Sequence, residues 1–255
     1  MACGPISPAV VTSVVERGVP TWMHPVMRRS EAAQFRELGV QGFVTPDIGY
    51  LSGNAPAARA DAWACGALTS GELTRFPYSE RFAMRWSDAG VLTLDIPGES
   101  TYLLLGQLCP VAPADGTYRI ETDVRFDAPY EKPHSFAIAF GYADDRYVGP
   151  NADSGAGYRA VVHPTGRMAL LADDSNGDRR VLDEADVEAI AAFGAAREPS
   201  PWARMAVQVA PGAVTVAWDG QEILRTDDRS HRGGYVHVGR TGTQGPVSLR
   251  RLQIS

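Results

Sequence analysis

The chain has 255 residues, a net charge of −6 and 44% hydrophobic residues, enough apolar content for one large core plus a smaller piece. The acidic balance, with a pI near 5.4, argues against a nucleic-acid backbone partner, which wants a basic stripe. No apolar run approaches the ~20 residues of a membrane span, and the opening stretch MACGPISPAVVTSVV lacks the basic start of a signal peptide. Cys3, Cys65 and Cys109 have no CxxC spacing, so metal and redox motifs are unsupported. Cys65 and Cys109 are either buried thiols or, in a secreted protein, a pair.

In chain order, VPTWMHPV (19–26) is a short apolar run after Gly18, and RRSEAAQFREL (28–38) is a helix pattern closed by Gly39. QGFVT (41–45) is a second strand running into Pro46 and Asp47. The stretch GVPTWMHPVMRRSEAAQFRELGVQGFVTPDIGYL resembles the last βαβ unit of glycerophosphodiester phosphodiesterases. Gly18, Trp22, Leu38, Gly39, Val40, Gly42 and Thr45 carry the resemblance, while His24, Gln41 and Pro46 depart from it. It implies the end of a TIM barrel and a parent protein, secreted or of the cell envelope, that hydrolyses glycerol phosphodiesters with Mg or Ca. It also implies that Trp22 and His24 line a substrate pocket, since barrel sites sit at the C-terminal ends of strands. The residues alone fit a tryptophan covering strand surface beside a solvent-facing histidine.

The family's His-Arg pair and Glu-x-Asp motif are missing from this segment. No catalytic residue, metal ligand or cofactor is therefore expected on this chain, and it should be inactive by itself. His231-Arg232-Gly233 spells the family's opening tripeptide, but YVHVGRTGTQG follows soon after in place of the expected motifs, which makes it a coincidental loop. Trp22, Val26, Phe35, Leu38, Phe43 and Val44 are too apolar to leave in water. They should pack on the rest of the chain or on a second copy, so self-association through this segment is one of two expected outcomes.

Residues 1–52 thus form an α/β segment, 53–60 a small, polar linker and 61–255 an all-β domain. The period there is two. In TYRIETDVRF (117–126), Tyr118, Ile120, Val124 and Phe126 face one way, and Arg119, Glu121, Asp123 and Arg125 the other. Leu92, Leu94 and Ile96 form another stripe, as do Phe136, Ile138 and Phe140, and Tyr158, Ala160 and Val162. Met205, Val207 and Val209, then Val214, Val216 and Trp218, continue the pattern. Asp219-Gly220 marks a two-residue hairpin, with Pro211-Gly212 and Asn176-Gly177 similar. Val247 and Leu249 differ in parity from Leu252 and Ile254, which predicts a bulge. DEADVEAIAAF (183–193) reads as a helix with Asp183 as N-cap and Val187, Ile190 and Ala191 on one face. The stretch from WARMAVQV to LRRLQIS is similar to the closing strands of concanavalin A-like (LamG-type) jelly rolls, and GYRAVVHPTGRMALLAD to an earlier hairpin of that fold. The expected architecture is mainly β, a jelly-roll sandwich with an N-terminal α/β fragment.

Asp173-Asp174-Ser175-Asn176-Gly177-Asp178 partly matches an EF-hand loop, but Ala172 stands where the first ligand belongs, so a polar hairpin loop fits better. Tyr142, Tyr147, Tyr158, Trp202 and Trp218, with Asp144, Asp145 and Arg146, offer aromatics and polar partners for a sugar, although Tyr158 and Trp218 continue core stripes. Glu99, Glu121 and Glu131 are available carboxylates, but no spacing selects a glycosidase pair. The chain reads as the C-terminal portion of a phosphodiesterase-like protein, with a glycerophosphodiester or a glycan as small-molecule partner. The alternative reading is an accessory β-sandwich that binds carbohydrate or serves as structure.

Overall fold

The computed structural model describes residues 7–26, 28–45, 48–52, 66–67, 84–86, 91–94, 101–107, 117–127, 134–146, 148, 155–190, 199–242 and 245–254. The chain divides into two compact units, Met1–Ala55 and Pro56–Ser255. The linker residues, the three cysteines, Ile96, Glu99, Glu131 and Tyr147 lie outside the described residues.

The first unit holds α1 (Pro8–Val15), β1 (Trp22–Met23), α2 (Arg29–Glu37), β2 (Gly42–Phe43) and α3 (Ile48–Leu51). Glu31 accepts the Arg28 N–H at 3.1 Å at the start of α2, satisfying a donor that the helix leaves open. Gly39 ends the helix at φ 85°, and a Cβ there would meet Val15 of α1 at 2.8 Å. β1 and β2 pair in parallel, Trp22 opposite Gly42 and Met23 opposite Phe43. They form a two-stranded sheet, too little for a barrel. Arg36 of α2 lies over Phe43 at 5.1 Å, so the helix covers the Met23–Phe43 face. The other face carries Trp22, 66% exposed, and Val44, 46% exposed. Of the apolar residues expected to be covered, Val26 is buried, but Trp22 and Val44 are not, because one helix shields only one side of two strands.

The second unit contains β3 (Gly66–Ala67), β4 (Met84–Trp86), β5 (Leu92–Leu94), β6 (Thr101–Gln107), β7 (Tyr118–Phe126), β8 (His134–Tyr142) and β9 (Gly157–Val162). It continues with β10 (Arg167–Asp173), β11 (Arg179–Asp186), β12 (Ala203–Ala210), β13 (Ala213–Trp218), β14 (Gln221–Thr226), β15 (Tyr235–Gly242) and β16 (Val247–Ile254). A six-stranded sheet runs β11-β10-β9-β8-β15-β6. An eight-stranded sheet runs β14-β13-β12-β7-β16-β5-β4, with β3 also on β16. Non-sequential neighbours such as β12-β7-β16 and β8-β15 give the jelly-roll interleaving.

The predicted stripes are the core. Phe136, Ile138, Phe140, Tyr158, Ala160 and Val162 are buried on the six-stranded sheet, and Ile120, Val124, Met205, Val207, Val216 and Trp218 on the eight-stranded sheet. Asp219 and Gly220, at φ 47° and 84°, form the two-residue turn between β13 and β14. The parity change in β16 is a bulge: the register with β7 shifts between Arg250 and Gln253, and Arg251 takes φ 55°.

One element differs from the expectation. Asp183 does not cap a helix; it lies in β11, opposite Leu170 of β10, and among the described residues of this stretch the helical ones are 188–190. Pairing along β10 satisfies the backbone of 179–186, so sheet formation overrides the local helix preference. The Asp183 carboxylate instead accepts the Arg225 N–H of β14 at 2.8 Å. That bond ties the edge strand of one sheet to the edge strand of the other and occupies a donor otherwise open to pairing.

Candidate functional site

The outer face of the eight-stranded sheet carries the site. Alternation along β7 turns Arg119, Glu121, Asp123 and Arg125 outward, and the neighbours of β7 supply the rest. Asp123 stands between Arg204 of β12 and Arg250 of β16. It accepts Arg204 Nε at 2.6 Å and Arg250 Nε at 3.1 Å, and Arg251 Nη1 lies 3.6 Å away. Arg204 also reaches Glu121 at 3.1 Å. Its bond to Asp123, outweighing partial desolvation, raises the Arg204 pKa further.

Trp202 completes the group. Ser200 holds Phe126 of β7 by two bonds, Ser200 N–H to the Phe126 carbonyl at 2.9 Å and Phe126 N–H to Ser200 Oγ at 3.0 Å. This sets Trp202 beside β7, where the guanidinium carbons of Arg125 and Arg250 lie 4.7 and 4.3 Å from its ring centroid. The Asp219 turn forms another wall, since Asp219 Oδ1 accepts the Arg204 N–H at 2.6 Å. Between these groups lies an open depression of about 420 Å³, a size suited to a small ligand. It offers an indole, guanidinium donors and carboxylate acceptors on one surface.

The other aromatics singled out from the sequence are placed differently. Tyr142, Tyr158 and Trp218 are buried. Among the described side chains of the sandwich unit, Trp202 is the aromatic that keeps partial exposure. Sequence reasoning named Trp202 only as one of several aromatics, and did not foresee the pocket. The signal available was the charged wet face of β7; the partners of that face, such as Trp202 over Arg125 and Arg204 on Asp123, lie far along the chain, the latter 81 residues away. Trp22 sits on β1 of the first unit and His24 just after it, both exposed, with the Trp22 ring lying on Gly42.

The EF-hand-like loop is a hairpin turn. Asp174 Oδ1 accepts the N–H groups of Asn176 and Asp178 at 2.8 and 2.9 Å, and Asp173 is engaged by Arg159 and Arg179. Among the described residues, no group of three or more His, Cys, Asp or Glu is placed to hold a metal. No helix among them is long and apolar enough to cross a membrane.

His231 belongs to a structural cluster. Asp228 accepts Tyr158 Oη at 2.6 Å, Ser230 Oγ at 2.6 Å and Arg180 Nη2 at 2.6 Å. The His231 N–H donates to Tyr158 Oη at 3.2 Å, and the two rings meet edge-on at 4.9 Å. Burial would raise the Asp228 pKa, but the bonds from Ser230, Tyr158 and Arg180 outweigh it and hold the carboxyl well below the usual range. Its stabilisation is therefore complete above the unfolded value near 3.9 and is lost as pH falls toward the folded one. Asp228→Asn is expected to cost about 1–3 kcal/mol at pH 7 and less at pH 3. Urea unfolding at both pH values checks this; an equal loss at both would remove the carboxylate from the explanation.

No protein-family model matches the sequence, and no curated protein matches it. These comparisons lend nothing to the phosphodiesterase resemblance. Solved structures do match. The carbohydrate recognition domain of Emp46p, in metal-free form, aligns at 8% identity and TM-score 0.50, over 67% of this chain and 84% of that one. The sandwich has a lectin-like jelly-roll fold. The exoplasmic/lumenal domain of VIP36, bound to Ca2+ and Man3GlcNAc, aligns at 14% identity and TM-score 0.48, over 68% of this chain and 81% of that one. Carbohydrate-binding module CBM66 from Bacillus subtilis aligns at 13% identity and TM-score 0.44, over 68% and 91%.

Proposed function

We propose that this chain is a glycan-binding β-sandwich module whose site is the Trp202 pocket. The observation that carries the reading is Trp202 itself, partly exposed beside a depression of about 420 Å³ while the other described aromatic side chains of the sandwich unit are buried. An indole gives the C–H face of a pyranose a flat apolar partner. Asp219 at the rim and the guanidiniums of Arg204 and Arg250 supply acceptors and donors for ring hydroxyls. The fold shared with a carbohydrate recognition domain agrees with this reading but does not decide it, since one fold hosts many functions.

A glycan array probed with the full chain tests the proposal. Binding to a defined set of glycans is expected, with a loss of about tenfold or more in Trp202→Ala, a change of about 1.4 kcal/mol. Undiminished binding by that variant would move the site elsewhere.

A further inference from the structure

The pocket presents its two signs of charge unequally to solvent. The Asp123 side chain is 8% exposed, whereas those of Arg250 and Arg251, which it pairs with, are 32% and 64% exposed. Glu121 and Arg204 repeat the pattern at 18% and 34%. The carboxylates lie against the sheet and hold the guanidiniums from below. Apart from Asp219, exposed at the rim, what faces an approaching ligand over the sheet is N–H donor and positive charge, on a chain whose net charge is −6. A guanidinium has five N–H groups in a planar fork; Arg250 uses its Nε on Asp123, and the rest of that fork matches the two oxygens of a carboxylate or sulfate.

We propose that the ligand of the Trp202 pocket is an acidic saccharide, a sugar ring bearing a carboxylate or a sulfate. This rests on the glycan-binding reading and narrows it. The acid group meets the outward edges of Arg250 and Arg251, the ring lies against Trp202, and Asp219 at the rim accepts a hydrogen bond from a ring hydroxyl. Asp123 has a positioning role: it aims Arg204 and Arg250 at the same point and offsets part of their mutual repulsion.

Isothermal titration of the full chain in low salt tests the proposal with four ligands: an oligogalacturonate, a keratan sulfate oligosaccharide (sulfated and free of carboxylate), a neutral cello-oligosaccharide and single-stranded DNA. At least one acidic saccharide is expected to bind about tenfold or more tighter than the neutral one, and to weaken as salt is raised. Which of the two binds separates carboxylate from sulfate. Arg250→Gln and Arg251→Gln should each reduce that affinity. Arg251 is the safer variant because its side chain is mostly exposed, and an unchanged unfolding temperature shows that the fold is kept. Equal affinity for the neutral and acidic saccharides, insensitive to Arg251→Gln but lost in Trp202→Ala, would overturn the acidic ligand and leave glycan binding standing. Failure of every saccharide to bind, or a preference for DNA, would overturn both.

Discussion

Gly233→Ala should destabilise the sandwich more than any other single-methyl change described here. A Cβ at Gly233 would stand 1.8 Å from the Tyr142 carbonyl oxygen, 2.0 Å from its carbon and 2.3 Å from the Ala143 nitrogen. All three are backbone atoms, so no side chain can swing aside to relieve the clash. The glycine also donates its N–H to the Gly141 carbonyl at 2.9 Å, which keeps the two segments in contact. Ordinary overpacking costs about 1–3 kcal/mol, and a clash against backbone should lie at or above the top of that range. For a domain of this size the unfolding temperature should fall by roughly 6–12 °C. Thermal unfolding followed by circular dichroism checks it; a shift below about 2 °C would mean that the loop before β15 does not lie on β8 as described. The result also explains why His-Arg-Gly occurs at 231–233: the glycine serves close packing, and the histidine packs on Tyr158.

The second large effect concerns the buried ion pair on the six-stranded sheet. Arg159 of β9 and Asp173 of β10 are 3% and 2% exposed and pair through two bonds, Nε to Oδ2 and Nη2 to Oδ1, the latter at 2.7 Å. Asp173→Asn leaves the Arg159 charge buried without its full counter-charge, at a cost of about 3–5 kcal/mol. Arg179, 39% exposed at 3.0 Å from Asp173, is a surface partner, so Arg179→Ala should cost under about 1 kcal/mol. The double variant Arg159→Met/Asp173→Leu should recover most of the Asp173→Asn loss, because it removes both desolvated charges. Chemical denaturation of the three variants separates these cases. Similar losses for Asp173→Asn and Arg179→Ala would mean that this face is wet and the pair worth little.

Much of the architecture was legible in the chain. Strict alternation along TYRIETDVRF, FAIAF, ARMAVQV and AVTVAW put the core on the right parity, since the pleat sends every second side chain to the same face. Asp219-Gly220 announced its hairpin because both positions need positive φ, and the parity slip between Leu249 and Leu252 announced the bulge in β16. Local signals failed where strand pairing competed with them. DEADVEAIAAF has helix-like spacing, yet its first four residues, 183–186, close the sheet on β10. Tyr142 follows Phe140 by two residues, but Gly141, at φ 75°, breaks the alternation. It sends the Tyr142 ring over Gly157 and 5.3 Å from His237.

The sequence by itself determined the sandwich, its core stripes, its turns and the charged wet face of β7, because each follows from neighbours a few residues apart. The site was decided only by tertiary structure. Asp123, Trp202, Asp219 and Arg250 span more than a hundred residues of chain, and nothing in the local pattern of any one refers to the others. They meet because β7 lies between β12 and β16, and that placement arises from closing two hydrophobic faces over one core rather than from any motif.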